Sequence, residues 1–564
     1  MKIVLAAVNA KYIHSNLAVY DLKAYAQRFT GEEITLREYT INQSADDILR
    51  DLFQLRPDAV FLSCYIWNIS LIKQLTADLK KVLPGTAFFA GGPEVSYDAE
   101  NFLTDNPAFT GVLRGEGEAC FAELAGRLLK DGMQAEMQGI PGLTYRDEGG
   151  IHDQGFGHPV PMDDIPFVYE DLQTFENRIL YYESSRGCPF RCSYCLSSIE
   201  KGTRFRSIPL VKKELDFFLE NRVPQVKFVD RTFNCRHAHA MEIWSYIKEH
   251  DNGVTNFHFE IAADLLTEEE TELLASMRPG LVQLEIGVQS TNPDTIDAVN
   301  RIMDLQTLKK RVEQIRQAEN IHQHLDLIAG LPYEGYESFR RSFNEVFEMQ
   351  PQQLQLGFLK VLKGSPMEQK REEYGLLYRS VEPYEVLSTR WITYEEILKL
   401  KTVENMVEVY YNSSQFRSAL KQLLPHFESP FDFFMRLGEF YEELHFHQSA
   451  HSRIQRYELL LAFARSIPLS ENEMRSLEDA MTMDLYLREN LKKREAFMEP
   501  EPDISTKERI RLYRKKNDIP KTAHIQILHS GRIMMFRYEK RDPLTSDAMS
   551  EDITDEIRKD HVEI

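Results

Sequence analysis

Residues 184–196 read SSRGCPFRCSYCL, and they hold Cys188, Cys192 and Cys195, half of the six cysteines in a chain of 564 residues. Gly187 and Pro189 bracket the first thiol, so the segment is a tight loop. The apolar run ILYYESS (179–185) comes just before it. The thiols therefore sit past the C-terminal end of a strand, where barrel-like parallel sheets carry their chemistry. Few cysteines and no export signal point to the reducing cytoplasm, where clustered thiols are metal ligands more often than disulfides. Two readings of the thiols compete. A closed structural zinc site needs a fourth ligand, from Cys235 or His237. A 4Fe–4S cluster on three cysteines leaves one iron open to bind and reduce a ligand. Zinc ribbons pair two Cys-x-x-Cys knuckles, and no second knuckle exists here.

Working outward, the runs 225–233 (QVKFVDRTF), 256–264 (NFHFEIAAD), 281–290 (LVQLEIGVQS), 324–332 (HLDLIAGLP) and 354–361 (LQLGFLKV) follow as strands separated by helical stretches. With the first strand they make six βα units over residues 177–365, a partial TIM barrel (β/α)6. Residues 1–135 form another alternating series. KIVLAAV (2–8) is a continuous apolar run, as in a strand covered on both faces, and Ser44 opens a helix. Five strands with intervening helices predict a flavodoxin-like doubly wound parallel sheet. Residues 136–176, dense in Gly, Pro and Asp, read as a linker with room for one hairpin. From 366 to 516 the strands vanish and helices take over, with Ile397, Leu400, Val403, Val407 and Tyr410 on one face. Residues 517–545 form a β hairpin around His529-Ser530-Gly531, and 546–564 a frayed acidic tail. The fold class is thus α/β multidomain, with an all-helical C-terminal region and a small hairpin.

The formal net charge of −21 disfavours broad binding to nucleic acid or anionic membrane. No apolar run approaches the ~18–20 residues of a membrane span. The N-terminal stretch reads as a strand and not as a signal peptide, which places the chain in the cytoplasm.

The motif C-x-x-x-C-x-aromatic-C, with Tyr194 as the aromatic, resembles the signature of the radical SAM superfamily. FVDRTFN (228–234), LEIGVQS (284–290) with VNR (299–301), and DLIAGLPYE (326–334) resemble successive strand motifs of its cobalamin-carrying subgroup. The resemblance implies that Cys188, Cys192 and Cys195 hold a 4Fe–4S cluster whose open iron chelates S-adenosyl-L-methionine (SAM). It also implies a 5′-deoxyadenosyl radical that attacks an unreactive carbon, and a reductant such as flavodoxin or ferredoxin. Tyr194, Asp230, Glu260, Glu285 and Gln289, at or near the strand ends, are candidate SAM-binding residues. Alternatively, some are buried polar residues paired within the barrel. Glu260 and Glu285 stand inside apolar runs, where burial without a partner is costly. Arg301 either grips a carboxylate or caps a helix, and capping is the simpler reading.

GGPEVS (91–96) followed by RGEGEACFAEL (114–124) resembles the cobalamin (B12)-binding domain fused ahead of such barrels. Candidate cobalamin contacts are Tyr12, Ser63, Tyr65, Gly91, Gly92, Gly115, Glu116 and Gly117. The D-x-H-x-x-G motif that supplies a lower cobalt ligand is absent, and His14 fits its spacing poorly. The competing reading is a degenerate domain that binds nothing. Residues 366–516 resemble the extra helical domain, of unknown function, in a bacterial branch of this subgroup. His447 and His451 lie one helical turn apart, read as an exposed face more readily than a metal site. These resemblances imply a cobalamin-dependent radical SAM methyltransferase acting on a small-molecule or peptide substrate. Alternatives are a cyclase or rearrangement enzyme, an RNA-modifying methylthiotransferase-like enzyme, and a non-catalytic cobalamin or redox sensor. Both sheets offer ligands at their strand C-termini, so these edges are expected to face each other across one cavity. Trp67 and Tyr65 are expected on its cobalt side, Tyr333 on the substrate side.

Overall fold

The computed structural model describes residues 1–31, 33–199, 202–446, 450–498 and 504–559. Strands β1 (Ile3–Asn9), β2 (Thr35–Thr40), β3 (Ala59–Ser63), β4 (Ala87–Gly91) and β5 (Gly111–Leu113) form a parallel sheet ordered β2-β1-β3-β4-β5. That is the flavodoxin-like order, with its switch point between β1 and β3. Helices cover both faces, so every residue of β1 is buried. Ser44 caps the helix Ala45–Leu55 by accepting the Asp46 N–H.

The segment 136–176 is more than a linker. Its hairpin, β6 (Leu143–Asp147) and β7 (Gly150–Asp153), adds antiparallel to β5 and makes a seven-stranded sheet. The three-residue β5 would otherwise leave an open edge.

The second sheet is the partial barrel. Its strands are β8 (Leu180–Tyr182), β11 (Gln225–Phe228), β12 (Asn256–Ile261), β13 (Val282–Gln289), β14 (His322–Ala329) and β15 (Gln353–Phe358), paired in parallel in that order. Between β8 and β11 lies a short antiparallel pair, β9 (Ser185–Cys188) with β10 (Gly202–Phe205), which carries the cysteine loop. A barrel of six strands stays open between β8 and β15, and each edge is sealed from outside. On the β8 side the loop after β1 lies alongside: His14 bridges Ile179, and the Ile179 N–H donates to Ile13 O at 2.8 Å. On the β15 side the Asn412 amide accepts from Leu354 N and donates to Leu354 O, both at 2.9 Å, in place of a missing strand.

Past residue 366, a small pair, β16 (Leu377–Tyr378) and β17 (Val386–Ser388), precedes the helices, so strands do not vanish at once. Ile397, Leu400, Val403, Val407 and Tyr410 are all buried, and they join the barrel in one continuous core. The chain's end also departs from expectation. β18 (His524–Ile527) and β19 (Ile533–Arg541) take a third strand, β20 (Ala548–Asp552), followed by a helix, Thr554–Lys559. Ile553 and Ile557, hidden among charges in the sequence, are buried with Tyr513 and Met535 and anchor what reads as a tail. The rest of that tail, 560–564, and His447 of the histidine pair lie outside the described residues. No helix among the described residues is long and apolar enough to cross a membrane.

Candidate functional site

Asp230, just past β11, pins the turn that launches the cysteine loop. Its fully buried carboxylate accepts from Ser184 N (3.0 Å), Ser184 Oγ (2.7 Å) and Ser185 Oγ (2.5 Å). Burial pushes its pKa up to about 6 despite these bonds. Asp230 thus has the partners that the barrel-pairing alternative calls for. Gly187 sits at φ +95, and a Cβ there would overlap the Gly202 carbonyl, so only glycine lets β9 and β10 close up beside Cys188.

All six cysteines are free thiols. Cys188 Sγ lies 3.5 Å from Thr232 Oγ1, and Cys192 is buried. The loop is stitched down by Ser193 N to Val299 O (2.8 Å) and Met367 N to Ser193 O (2.9 Å). Arg301 caps no helix here. Its Nη1 lies 3.9 Å from Cys192 Sγ and 3.4 Å from Tyr194 OH, while Nη2 donates to Gly287 O. Burial raises the Cys192 thiol and the Arg301 charge offsets it. Tyr194 therefore belongs to the pocket of the thiols. Cys235 bonds Thr203, and burial pushes its thiol up. Three thiols on one short loop beside a guanidinium suit a cluster with one open corner.

On the barrel's inner face, Glu285 takes Lys227 Nζ at 3.0 Å and His258 Nε2 at 3.0 Å. Burial would raise its pKa, but these two partners hold it at about 2. Here are the partners that burial demands, and they were hidden in the sequence because they come from other strands. Glu260 has only Lys227 Nζ at 3.9 Å, and burial followed by repulsion from Glu285 pushes its pKa up to about 7. Gln289 ends β13 at φ +71, with its Oε1 buried and unpartnered. Gln289 and Glu260 remain open to a ligand; Glu285 is shared between Lys227, bonded at 3.0 Å, and His258, at ion-pair distance but without a hydrogen bond.

The C-terminal edges of the two sheets face each other across one cavity of about 480 Å³. Ser63, Tyr65, Gly91, Gly92, Gly115, Glu116 and Gly117 line it from the first sheet; Glu183, Ser185, Arg186, Gly187 and Arg231 line it from the barrel side. At Gly92, φ is +117 and a Cβ would lie 2.5 Å from Cys64 O. Tyr12 is absent from the lining. It is 61 % exposed, under the Arg178 guanidinium at 5.0 Å. His14 is absent too: its Nδ1 lies 2.6 Å from Tyr181 OH. Tyr65 stacks on Trp67 with centroids 4.4 Å apart, while Tyr333 packs on Trp391 at 4.5 Å, outside the lining.

Sequence reasoning missed the group that joins the walls. Arg186, two residues before Cys188, pairs with Glu183 (2.7 Å), Glu118 (2.9 Å) and Glu116 (3.1 Å), and Arg204 also reaches Glu116. Burial opposes the Arg186 charge, but Glu183 and Glu118 outweigh it and raise its pKa further. Glu116 is thus an inter-domain partner before it is a ligand contact. Asp21, also on the wall, has its pKa raised well above the usual range by burial and then by Glu118 and Glu183. Glu116 and Glu118 lie some 70 residues from Arg186 in the chain, so only the fold reveals this pairing.

Three family models match the chain: the B12 binding domain over residues 3–125, the radical SAM superfamily over 182–346, and a protein family of unknown function (DUF4080) over 372–559. The cobalamin-dependent radical SAM methyltransferase TokK of Streptomyces tokunonensis is 26 % identical over 367 residues, covering 60 % of this chain and 51 % of its own. Hopanoid C-3 methylase of Methylococcus capsulatus is 26 % identical over 351 residues, covering 57 % and 67 %. The chain therefore spans about half of the TokK length. Among solved structures, the cobalamin-dependent SAM radical enzyme OxsB, with aqua-cobalamin and SAM bound, superposes with a TM-score of 0.61 at 15 % identity, covering 86 % of this chain and 83 % of its own. The radical SAM methyltransferase TsrM from Kitasatospora setae, with cobalamin and a [4Fe–4S] cluster, gives 0.55 at 16 % identity, covering 68 % and 78 %. At such identities the superpositions speak for the fold.

Proposed function

We propose that this chain, matched by the B12 binding domain model ahead of the barrel, the radical SAM model over the barrel and the DUF4080 model behind it, transfers a methyl group to an unactivated carbon of a small-molecule or peptide substrate. The observation that carries this reading is the shared cavity, walled by Gly91 and Gly92 on one side and by Arg186 and Gly187, next to Cys188, on the other. The reacting groups must meet within roughly 3–3.5 Å, so a common cavity is the first requirement. When bound, the cluster with SAM supplies the radical and the cobalamin supplies the methyl group.

The residues present fit these groups. Cys188, Cys192 and Cys195 would hold the cluster, with the Arg301 guanidinium beside Cys192. Glu260 would accept the SAM ammonium, and the orphaned Gln289 Oε1 a hydroxyl of its ribose. Ser63, Tyr65, Gly91, Gly92, Gly115 and Gly117 would cradle the corrin, since glycines let backbone approach a flat ring. Tyr65, stacked on the exposed Trp67, would flank the corrin. An external one-electron reductant, such as a flavodoxin or ferredoxin, completes the system.

Anaerobic reconstitution with SAM labelled at its methyl group, hydroxocobalamin, a reductant and a metabolite extract tests the reading. It expects deoxyadenosine, S-adenosylhomocysteine and a labelled product together. Deoxyadenosine without S-adenosylhomocysteine or labelled product would favour a rearrangement enzyme on the same scaffold.

A further inference from the structure

TIM-type barrels fill their centres with layers of branched apolar side chains. This barrel does not. Cross-strand register puts Lys227, His258, Glu260, Glu285, His324 and Asp326 on one face of four successive strands: Lys227 opposite His258, Glu260 opposite Glu285, and Glu285 opposite His324. The other face, with Val226, Phe257, Leu284 and Leu325, is fully buried in the apolar core, so the polar face is the lumen.

These side chains are not packed away. Lys227 is 24 % exposed, Glu260 28 % and Glu285 21 %, which describes a hollow and not a plug. Three of the atoms lack a hydrogen bond. His258 Nε2 lies 3.0 Å from Glu285 and His324 Nε2 lies 3.0 Å from Asp326 Oδ1, yet neither imidazole is aligned to bond, and Asp326 Oδ1 is also unpartnered. His258 and His324 are more than nine-tenths buried. Three carboxylates face one lysine, so hydrogen-bond acceptors are in excess. Glu183 and Val229, two residues on from Tyr181 and Lys227, line the inter-domain cavity, so the hollow opens beneath it.

We propose that this hollow holds the methyl acceptor, and that the acceptor is a hydrophilic metabolite rich in hydroxyl or amino donors and not a lipid. The word acceptor rests on the methyl-transfer reading; the polarity of the ligand does not. Gln289 at the rim and Glu260 serve SAM, and Lys227, His258, Glu285 and His324 across the lumen read the substrate. Hydrocarbon against these groups would strip water from charges and return no hydrogen bonds.

The test supplies the fully reconstituted full-length protein, with SAM labelled at its methyl group and a reductant, with either the water-soluble or the chloroform-soluble part of a cell extract. Deoxyadenosine release is expected to rise with the water-soluble part alone. Lys227→Met and Glu285→Gln should each require about tenfold more of it for half-maximal release, the loss of one good hydrogen bond. The change SAM makes in the cluster's EPR spectrum should persist in both. The charge-balanced double variant Lys227→Met/Glu285→Leu guards against misfolding and should show the same deficit. Stimulation by the chloroform-soluble part, by neither part, or equally in wild type and variants would overturn the assignment. So would loss of the SAM-induced EPR change, which would give the hollow to SAM. Release without label transfer would sink methyl transfer and leave the hollow's assignment standing.

Discussion

The two parallel sheets meet edge to edge, yet they offer opposite kinds of wall. Apart from Asp21 and from Glu116 and Glu118, which meet Arg186, the first sheet presents backbone and small or apolar side chains: Leu62, Ala90, Gly91 and Gly92. The barrel presents charge: Glu183, Arg186 and Arg231 at the mouth, and Lys227, Glu260 and Glu285 within. A wall of the first kind reads shape, as a broad flat ring requires, and tolerates no added volume. A wall of the second kind reads charge and hydrogen bonds, and tolerates volume better than the loss of one polar atom. The same strand geometry serves both, so side-chain choice at the strand ends divides the labour.

The sharpest break in this comparison is at the thiols. Cys188→Ala, Cys192→Ala or Cys195→Ala should each abolish the visible absorption of the reconstituted cluster and all deoxyadenosine formation, while Cys64→Ala, Cys120→Ala and Cys235→Ala should keep the absorption. Next is Arg186→Gln, which leaves Glu116, Glu118 and Glu183 facing one another with side chains at most 16 % exposed. Breaking such a buried network costs about 3–5 kcal/mol, so denaturant unfolding should show the loss, and Arg186→Lys should recover part of it. Gly92→Ala tests the shape-reading wall. With φ +117 and Cys64 O at 2.5 Å from the new Cβ, it should cost about 1–3 kcal/mol and most cobalamin retention. Gly117→Ala should do less, because the nearest atom, Leu22 Cδ2 at 2.9 Å, belongs to a flexible side chain.

The smallest effect is on pH. The Glu260 carboxyl is raised from 4.5 to about 7 by burial and by Glu285, so the folded chain binds its proton more tightly than the unfolded chain does. Stability from this group is therefore greatest below about pH 4.5 and falls as pH rises toward about 7. Glu260→Gln should flatten that slope across the window, read as the Tm measured at each pH.

Some of this architecture was legible in the chain, and the reasons are local. Thiol spacing, apolar runs such as KIVLAAV and LVQLEIGVQS, and the Ser44 cap are signals within a few residues of each other. What stayed hidden depends on contacts between distant segments. The β6–β7 hairpin reads as a Gly-rich linker until β5 is seen to need a neighbour. Ile553 and Ile557 disappear among charges because only two turns of helix carry them. Asp230 looks like a ligand residue at a strand end until Ser184 and Ser185 fold back onto it. The need for partners at Glu260 and Glu285 was visible, but Lys227 and His258 emerge only from strand register. Tyr12 and Glu116 show the limit of assigning contacts by motif, since one points outward and the other is taken by Arg186 and Arg204.

The central claim is that cluster and cobalamin occupy one cavity between the two sheet edges. Pulsed EPR on protein holding both cob(II)alamin and the reduced cluster tests it most directly. The account predicts dipolar coupling between the two paramagnets, absent when the cob(II)alamin spectrum is recorded in the cluster-free Cys188→Ala/Cys192→Ala/Cys195→Ala protein. A spectrum that is the plain sum of two isolated signals would contradict it.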